Sequence, residues 1–373
     1  MIEIKLVKTS EEMLQFINLP WKIYRYNYNW VPPLKNNLLK ELTGKDNILF
    51  MNGPYQFLMA YKNDQPVARV LVGINEKLNE KKNMSDGYLS LFESVNNQDI
   101  CFSLLKKASD WLRAQKIQRV VGPISHTNGD ENRGFLIKGY NGPPVLMNAY
   151  NPDYYPELFQ TFGFNKYLDF YAYYLDEDLI KDKRLKKIVS YAMKRYSFHI
   201  DKFDLYNTER EAADIKFIFD QAMPDTWNHL SPPSLNEIKT EINRMKRLID
   251  PDLIYIARSN ENKPIGCVWA FPDYNQVLIR LNGLLNPLGL LKFWWYKRKI
   301  NGMRIFSQFV IPEYRDKAVN GAIFYKLLLQ AKKKKYIYGE ASTIGEMNLK
   351  SIATVEKSGG QLYRIYRIYQ KDL

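Results

Sequence analysis

Residues 310–323 read VIPEYRDKAVNGAI, and the fold turns on how this stretch is read. The apolar run that ends at Val310 predicts a β-strand. Ile323, Leu327, Leu328 and Ala331 recur at helical spacing and predict an amphipathic helix. A short basic turn carrying Arg315 and Lys317 joins them. The first turn of a helix leaves backbone N–H groups without partners, and the helix dipole is positive there. Strand, turn and helix together therefore make a place for a pyrophosphate, to which Arg315 and Lys317 would add charge.

Outward from this unit the chain repeats itself. Leu58–Val70 (LMAYKNDQPVARV) and Tyr255–Val268 (YIARSNENKPIGCV) are each a strand ending in Ala, a polar turn, a Pro and a second strand, which is a hairpin pattern. Phe162–Tyr174 (FGFNKYLDFYAYY) answers to Ser358–Gln370 (SGGQLYRIYRIYQ). Ala60 stands to Ala257 as Gly163 stands to Gly359 and Tyr167 to Tyr363, at almost one spacing. A duplication accounts for both matches. The expected organisation is a first half over 1–175, a lysine-rich helical connector over 176–196, and a second half over 197–373. In the second half the pattern predicts a strand near 199–205, helices over 208–222 and 234–248, and a hairpin over 252–272. A strand (303–310), a helix (319–335), a strand (336–340), a helix (347–358) and a final strand (361–370) follow. The halves differ by two insertions. Pro123–Tyr150, rich in Gly, Asn and Pro, predicts a long ordered loop, and Asn286–Ile300 (NPLGLLKFWWYKRKI) is apolar and aromatic with a basic end.

At 373 residues the chain can bury two cores. Cys101 and Cys267 lie far apart in sequence, so no disulfide framework is expected and a reducing compartment fits better. The alternating start MIEIKLVK lacks a signal peptide's apolar region, and no apolar run approaches the roughly 20 residues that span a bilayer. The cytoplasm is the expected location. A net charge of +14 reads either as a solvated lysine-rich surface or as attraction for an anionic ligand such as a CoA, nucleic acid or an anionic membrane. Three His residues and no clustered Cys speak against a zinc site, and no metal is expected.

Val310, Pro312, Arg315, Lys317 and Val319 resemble the turn of the GNAT superfamily of acyl-CoA N-acyltransferases, Val-x-Pro-x-x-Arg/Gln-Gly-x-Gly-x-Gly/Ala. Asn348, Ser351, Glu356, Lys357 and Gly359 match a later segment of that family in register. The phrases FLMAYKNDQPVARV, YLSLFES, VVGP, NGPPVLMNAYNPDYY and the ending YRIYQK are similar to a bacterial family of two-domain GNAT-like proteins. The resemblance implies an α+β fold, three layers α/β/α, built as two tandem halves with mixed, largely antiparallel sheets. It implies acetyl-CoA or another acyl-CoA as co-substrate, whose thioester is attacked directly by a small-molecule or peptide amine. Val310, Arg315, Asp316, Lys317, Ala318, Val319, Asn320 and Gly321 would hold the pyrophosphate, and Asn348 would orient the pantetheine or the last helix. Glu340 is the candidate base, although it and Glu346 also read as ordinary acids beside helices.

The departures from that pattern matter. Ala318 and Asn320 stand where the family has turn glycines, and Val355 stands where it has an acidic-proton donor, a Tyr. The link Ser94–Ile100 in the first half has no Gly and no Arg, so that half is expected to bind no CoA and to serve packing or form one wall of a substrate cleft. A catalytically silent binding protein of the same fold is the rival reading. A tRNA-dependent aminoacyl transferase is a third, nucleic acid being otherwise an unexpected partner. His126, with Asp130, Glu131 and Arg133, reads as a polar loop cluster or a self-bonded turn; His199 and His229 read as structural. Leu290–Tyr296 should bury Trp294 or Trp295 between the halves, with a long-chain acyl pocket or a peripheral membrane contact through 288–299 as the alternatives.

Overall fold

The computed structural model describes residues 1–44, 47–127, 129–176, 183–224, 227, 232–246 and 248–373. His229 and the connector residues 177–182 lie outside them. The first half begins with β1 (Ile2–Leu6) and then α1 (Ser10–Ile23), which a capping box of Thr9 and Glu12 starts. The helices α2 (Lys35–Thr43) and α3 (Ile48–Met51) lead to the hairpin β2 (Tyr55–Lys62) and β3 (Gln65–Ile74). After α4 (Glu76–Lys82) come β4 (Asp86–Ser94), α5 (Gln98–Ala114), β5 (Arg119–Gly122), β6 (Phe135–Lys138), α6 (Tyr155–Thr161) and β7 (Asn165–Asp176).

The second half follows the same order. The helix α7 (Lys183–Arg195) leads to β8 (Phe198–Lys202), α8 (Thr208–Ala222) and α9 (Leu235–Met245), the last opened by a Ser234–Glu237 capping box. The hairpin β9 (Ile254–Ser259) and β10 (Pro264–Pro272) precedes α10 (Asn275–Leu281) and α11 (Pro287–Lys297). Then come β11 (Gly302–Val310), α12 (Val319–Lys333), β12 (Tyr338–Gly345), α13 (Leu349–Lys357) and β13 (Gln361–Asp372).

Among the described residues all thirteen strands belong to one mixed sheet, in the order β1-β2-β3-β4-β5-β13-β7-β12-β11-β10-β9-β8, with β6 beside β13. Read inward from either edge, each half lays down five strands, the last pair parallel: β4 with β5, and β11 with β12. The next strand comes from the other half. β13 pairs with β5, and β7 pairs with β12, so the halves exchange their last strands. The exchanged strands also pair with each other, antiparallel from Gln361 opposite Tyr174 to Gln370 opposite Asn165. At the centre of that seam Arg367 faces Asp169 and donates to both carboxylate oxygens at 2.7 and 2.9 Å. This two-pronged pairing adds geometric specificity to the register.

The insertion Pro123–Tyr150 is not loop throughout. Phe135–Lys138 adds to β13, and the buried Arg364 of β13 donates to the carbonyls of Asn141, Gly142 and Pro143 at 2.9–3.0 Å. These contacts from its Nη2 tie the loop to β13. The two cysteines are buried and free. The tryptophans of the second insertion overturn the expectation set for them: Trp294 is 60% and Trp295 62% exposed. Only the intervening face packs inward, where Phe293 stacks on Tyr274 at 6.0 Å.

Candidate functional site

The parallel pair β11 and β12 stays together only from Gly302 opposite Tyr338 to Ile305 opposite Ala341. Its divergence has a local cause. Trp269 of β10 faces Ser307, yet Ala270 faces Ile305, so Phe306 is an extra residue on β11. Such a bulge bends the strand that carries it. Beyond it, residues 306–310 and 342–345 separate, and a cleft of about 420 Å³ opens between them. The size is that of a small-molecule site.

Six segments form the walls. From β11 and β12 come Phe306–Phe309 and Ala341–Gly345. The start of α12 contributes Asn320, Gly321 and Phe324, and α13 contributes Asn348, Ser351 and Val355. The first half supplies Tyr167, Leu168 and Phe170 from β7, and Asp130 and Arg133 from the long loop. Strand exchange is what brings β7 there.

Ala318 is the N-cap of α12, with φ of +57°, in the left-handed region that favours glycine. The glycine requirement of the turn is thus visible in the backbone, and an alanine meets it at some cost. No side chain caps the first N–H groups of α12. A Cβ on Gly321 would meet nothing within 4 Å, so the space at that end is open. Val319 is buried in the core and serves packing, as Val310 does. Asp316 is exposed, and Lys317 lies over the Tyr314 ring at 4.2 Å.

Arg315 is exposed, and its side chain turns to backbone carbonyls. Its guanidinium donates to the carbonyls of Val310 at 3.3 Å and Ala222 at 3.0 Å. The residue closes the exposed ends of β11 and α8 and does not line the cleft. Asn348 lines the cleft and also caps α13, its Oδ1 accepting from the Ser351 N–H at 3.3 Å. Val355 is buried against the cleft, so no phenol stands there.

Glu340 sits at the narrow end, beside the last paired residues, and is fully buried. Asn148, Ser342 and Tyr363 all donate to its carboxylate. Arg304 lies opposite it on β11, equally buried, and donates to the carbonyls of Leu146 at 2.7 Å and Ser342 at 3.2 Å. Burial raises the Glu340 carboxyl above its ordinary value, against the opposing pull of Arg304 and the Ser342 hydrogen bond. Glu340 does not itself line the cleft, but its partner Ser342 does.

By sequence Arg133 belongs to a polar loop cluster or a self-bonded turn. The structure buries it in the cleft wall, 3.9 Å above the Phe170 ring, with Thr343 accepting from it at 3.1 Å and Asp130 2.7 Å away. The pairing of an acid and a base in one loop was the available signal. His126 contacts Glu41 at 3.0 Å, and Arg244 of α9 donates to the same Glu41 at 3.0 Å, which ties the halves together. Glu346 likewise bridges the halves, accepting from Lys166 and from the Asp169 N–H at 3.1 Å.

The matching place in the first half is closed. β4 and β5 pair from Asp86 opposite Arg119 to Tyr88 opposite Val121, and the chain then folds back into the gap. The Ile124 N–H donates to the Leu89 carbonyl at 2.8 Å, and Ser90 Oγ donates to the Ile124 carbonyl at 2.7 Å. The approach is close enough that a Cβ on Gly122 would lie 2.7 Å from the Leu89 oxygen. Tyr154 and Tyr155 occupy the carbonyl and N–H of Ser94, each at 2.8 Å.

The fold, a tandem arrangement on one mixed α/β sheet, is similar to that of solved GNAT-fold proteins. A tandem GNAT protein from the clavulanic acid biosynthesis pathway superposes with a TM-score of 0.58 at 10% identity, over 100% of this chain and 98% of that one. A GCN5-related N-acetyltransferase from Sphaerobacter thermophilus does so with a TM-score of 0.54 at 9% identity, over 100% and 95%. In sequence the chain is 26% identical over 380 residues to Protein YghO of Escherichia coli, spanning 98% of this chain and 94% of that protein. It is 25% identical over 379 residues to a bacterial ceramide synthase of Caulobacter vibrioides, spanning 98% and 96%. No family model matches it.

Proposed function

We propose that this protein transfers an acyl group from an acyl-CoA to the amine of a long-chain, sphingoid-like acceptor, in the cleft of its second half. The observation that carries the transfer reading is the bulge-driven opening of β11 and β12 onto the uncapped start of α12. The amides of Asn320 and Gly321 would bind pyrophosphate. The freed strand edges of 306–310 and 342–345 would hold the extended pantetheine arm by backbone hydrogen bonds. The acceptor class rests on the whole-length likeness to a ceramide synthase, and apolar cleft residues such as Phe306, Phe309, Phe324 and Phe170 suit an alkyl chain. The closed gap between β4 and β5 supports one CoA site per chain, in the second half.

The neutral amine attacks the thioester carbonyl carbon, the C–N bond forms, and the C–S bond breaks. The nitrogen loses one proton and the departing thiolate gains one. Ser342, which lines the cleft and donates to Glu340, would accept the amine's proton as it passes its own to Glu340, whose carboxyl is raised above its ordinary value by burial. Val355 cannot protonate the thiolate, so water supplies that proton. A second reading, a binding protein without turnover, is favoured by that same Val355.

One experiment separates these readings. Purified full-length protein is given acyl-CoAs of graded chain length with sphinganine, and free thiol and N-acyl product are both measured. Product formation with thiol release supports transfer. Acyl-CoA binding without product supports the silent reading, and the absence of binding to any acyl-CoA removes both.

A further inference from the structure

The helix α11 and the turn before it leave large apolar side chains in solvent: Leu284, Leu285, Leu288, Leu291, Trp294 and Trp295 are all exposed. A soluble surface rarely presents so contiguous a patch without a use for it. The helix is not loosely attached. Asn282 Oδ1 accepts from the Trp21 indole at 3.0 Å, the Gly283 carbonyl accepts from the Lys35 N–H at 3.0 Å, and Phe293 stacks inward on Tyr274.

The charge along this stretch of chain is one-sided. From Tyr274 to Pro312 the chain contains no Asp or Glu, while Lys292, Lys297, Arg298 and Lys299 lie on or beside the helix. The ammonium groups of Lys297 and Lys299 sit 5.5 and 5.1 Å from the Trp294 and Trp295 rings. Tryptophan with a neighbouring cation matches the boundary between lipid headgroups and acyl chains, where the indole is half solvated and the cation meets phosphate.

We infer that α11 is a docking surface for an anionic lipid bilayer, with Trp294, Trp295, Leu288 and Leu291 inserted and Lys292, Lys297, Arg298 and Lys299 against headgroup phosphates. A second copy of the chain fits less well. A twofold contact through this helix would set the same basic cluster against itself, in a protein of net charge +14. The docking rests on the surface alone and is independent of the acyl-transfer reading.

Its test contains no CoA. Full-length protein is sedimented with phosphatidylcholine vesicles and with vesicles of mixed phosphatidylcholine and phosphatidylglycerol, and tryptophan emission is followed. Binding to the anionic vesicles with a blue-shifted emission is expected, together with loss of binding at high salt. The double variant Trp294→Ser/Trp295→Ser should bind about tenfold or more weakly with an unchanged melting curve, since both rings are exposed. Lys297→Glu/Lys299→Glu should weaken binding to anionic vesicles alone. Wild-type protein that ignores anionic vesicles, or a tryptophan double variant that binds like wild type, overturns the proposal. So does a stable dimer in sedimentation velocity that the double variant dissociates, which would assign the face to a second copy.

Discussion

Replacing Glu340 with Ala should destabilise the protein by about 3–5 kcal/mol, the range found when one member of a buried ion pair is removed. The structure indicates why the full range applies. Arg304 is as deeply buried as Glu340 and loses the charge that faces it across the β11–β12 pair. Asn148, Ser342 and Tyr363 lose a common acceptor. Asn148 and Ser342 keep a mutual hydrogen bond at 3.2 Å, and the half-buried Tyr363 can turn toward water, so their contribution is the smaller one. Glu340→Gln preserves the shape and one acceptor, and removes a carboxylate whose burial is itself unfavourable; about 1–2 kcal/mol is expected. The pH dependence has a definite sign. The folded carboxyl sits above its ordinary value of 4.5, so its contribution is fully present below 4.5 and is lost as pH rises through the folded value. Wild type should therefore lose stability over that rise relative to Glu340→Gln. Urea unfolding of the full chain, followed by circular dichroism and tryptophan emission across pH, measures all three quantities. A Glu340→Ala loss below about 1 kcal/mol, or parallel pH profiles for wild type and Glu340→Gln, would refute the account of this junction.

Glu93, buried beside Arg69 and accepting from Tyr155, is raised to about 7, with burial the leading cause. Its contribution is likewise present below 4.5 and lost through pH 7, by about 3 kcal/mol, and urea titrations of Glu93→Gln should lack that decline. The double change Ala318→Gly/Asn320→Gly should tighten acyl-CoA binding in calorimetry, because Ala318 already holds a left-handed φ; weaker binding would mean the turn is not a phosphate cradle. Arg315→Ala should cost about 1 kcal/mol of stability through its two carbonyl contacts, with little change in acyl-CoA affinity; a drop in affinity of tenfold or more would return Arg315 to the phosphate site. The exchanged strands should make both halves unfold in one transition. Two separated transitions in calorimetry would contradict the shared seam.

Local pattern determined a good deal of this molecule. Apolar runs joined by a polar turn and a Pro marked the hairpins now seen as β2–β3 and β9–β10, and helical spacing marked α12. The repeat between Phe162–Tyr174 and Ser358–Gln370 showed that β7 and β13 are equivalent. That same equivalence hid their exchange. Two strands with like alternation satisfy either sheet edge equally, and the side chains that meet across the exchanged edges, Arg119 with Gln370 and Tyr174 with Tyr338, favour the arrangement seen. Arg315 could be placed in the turn from its spacing, but the direction of its side chain depended on the Ala222 carbonyl, which α8 delivers from a distant part of the chain. Arg133 became a cleft residue because the first-half loop folds across the strands of the second half. For Asn286–Ile300, composition alone allowed burial between the halves or exposure on a surface. Tertiary packing decided it: one face, through Phe293, satisfies the core, and no described part of the chain covers the tryptophans. What a sequence encodes locally is which residues want to leave water; which neighbour removes them is settled by long-range contacts that no window of neighbouring residues contains.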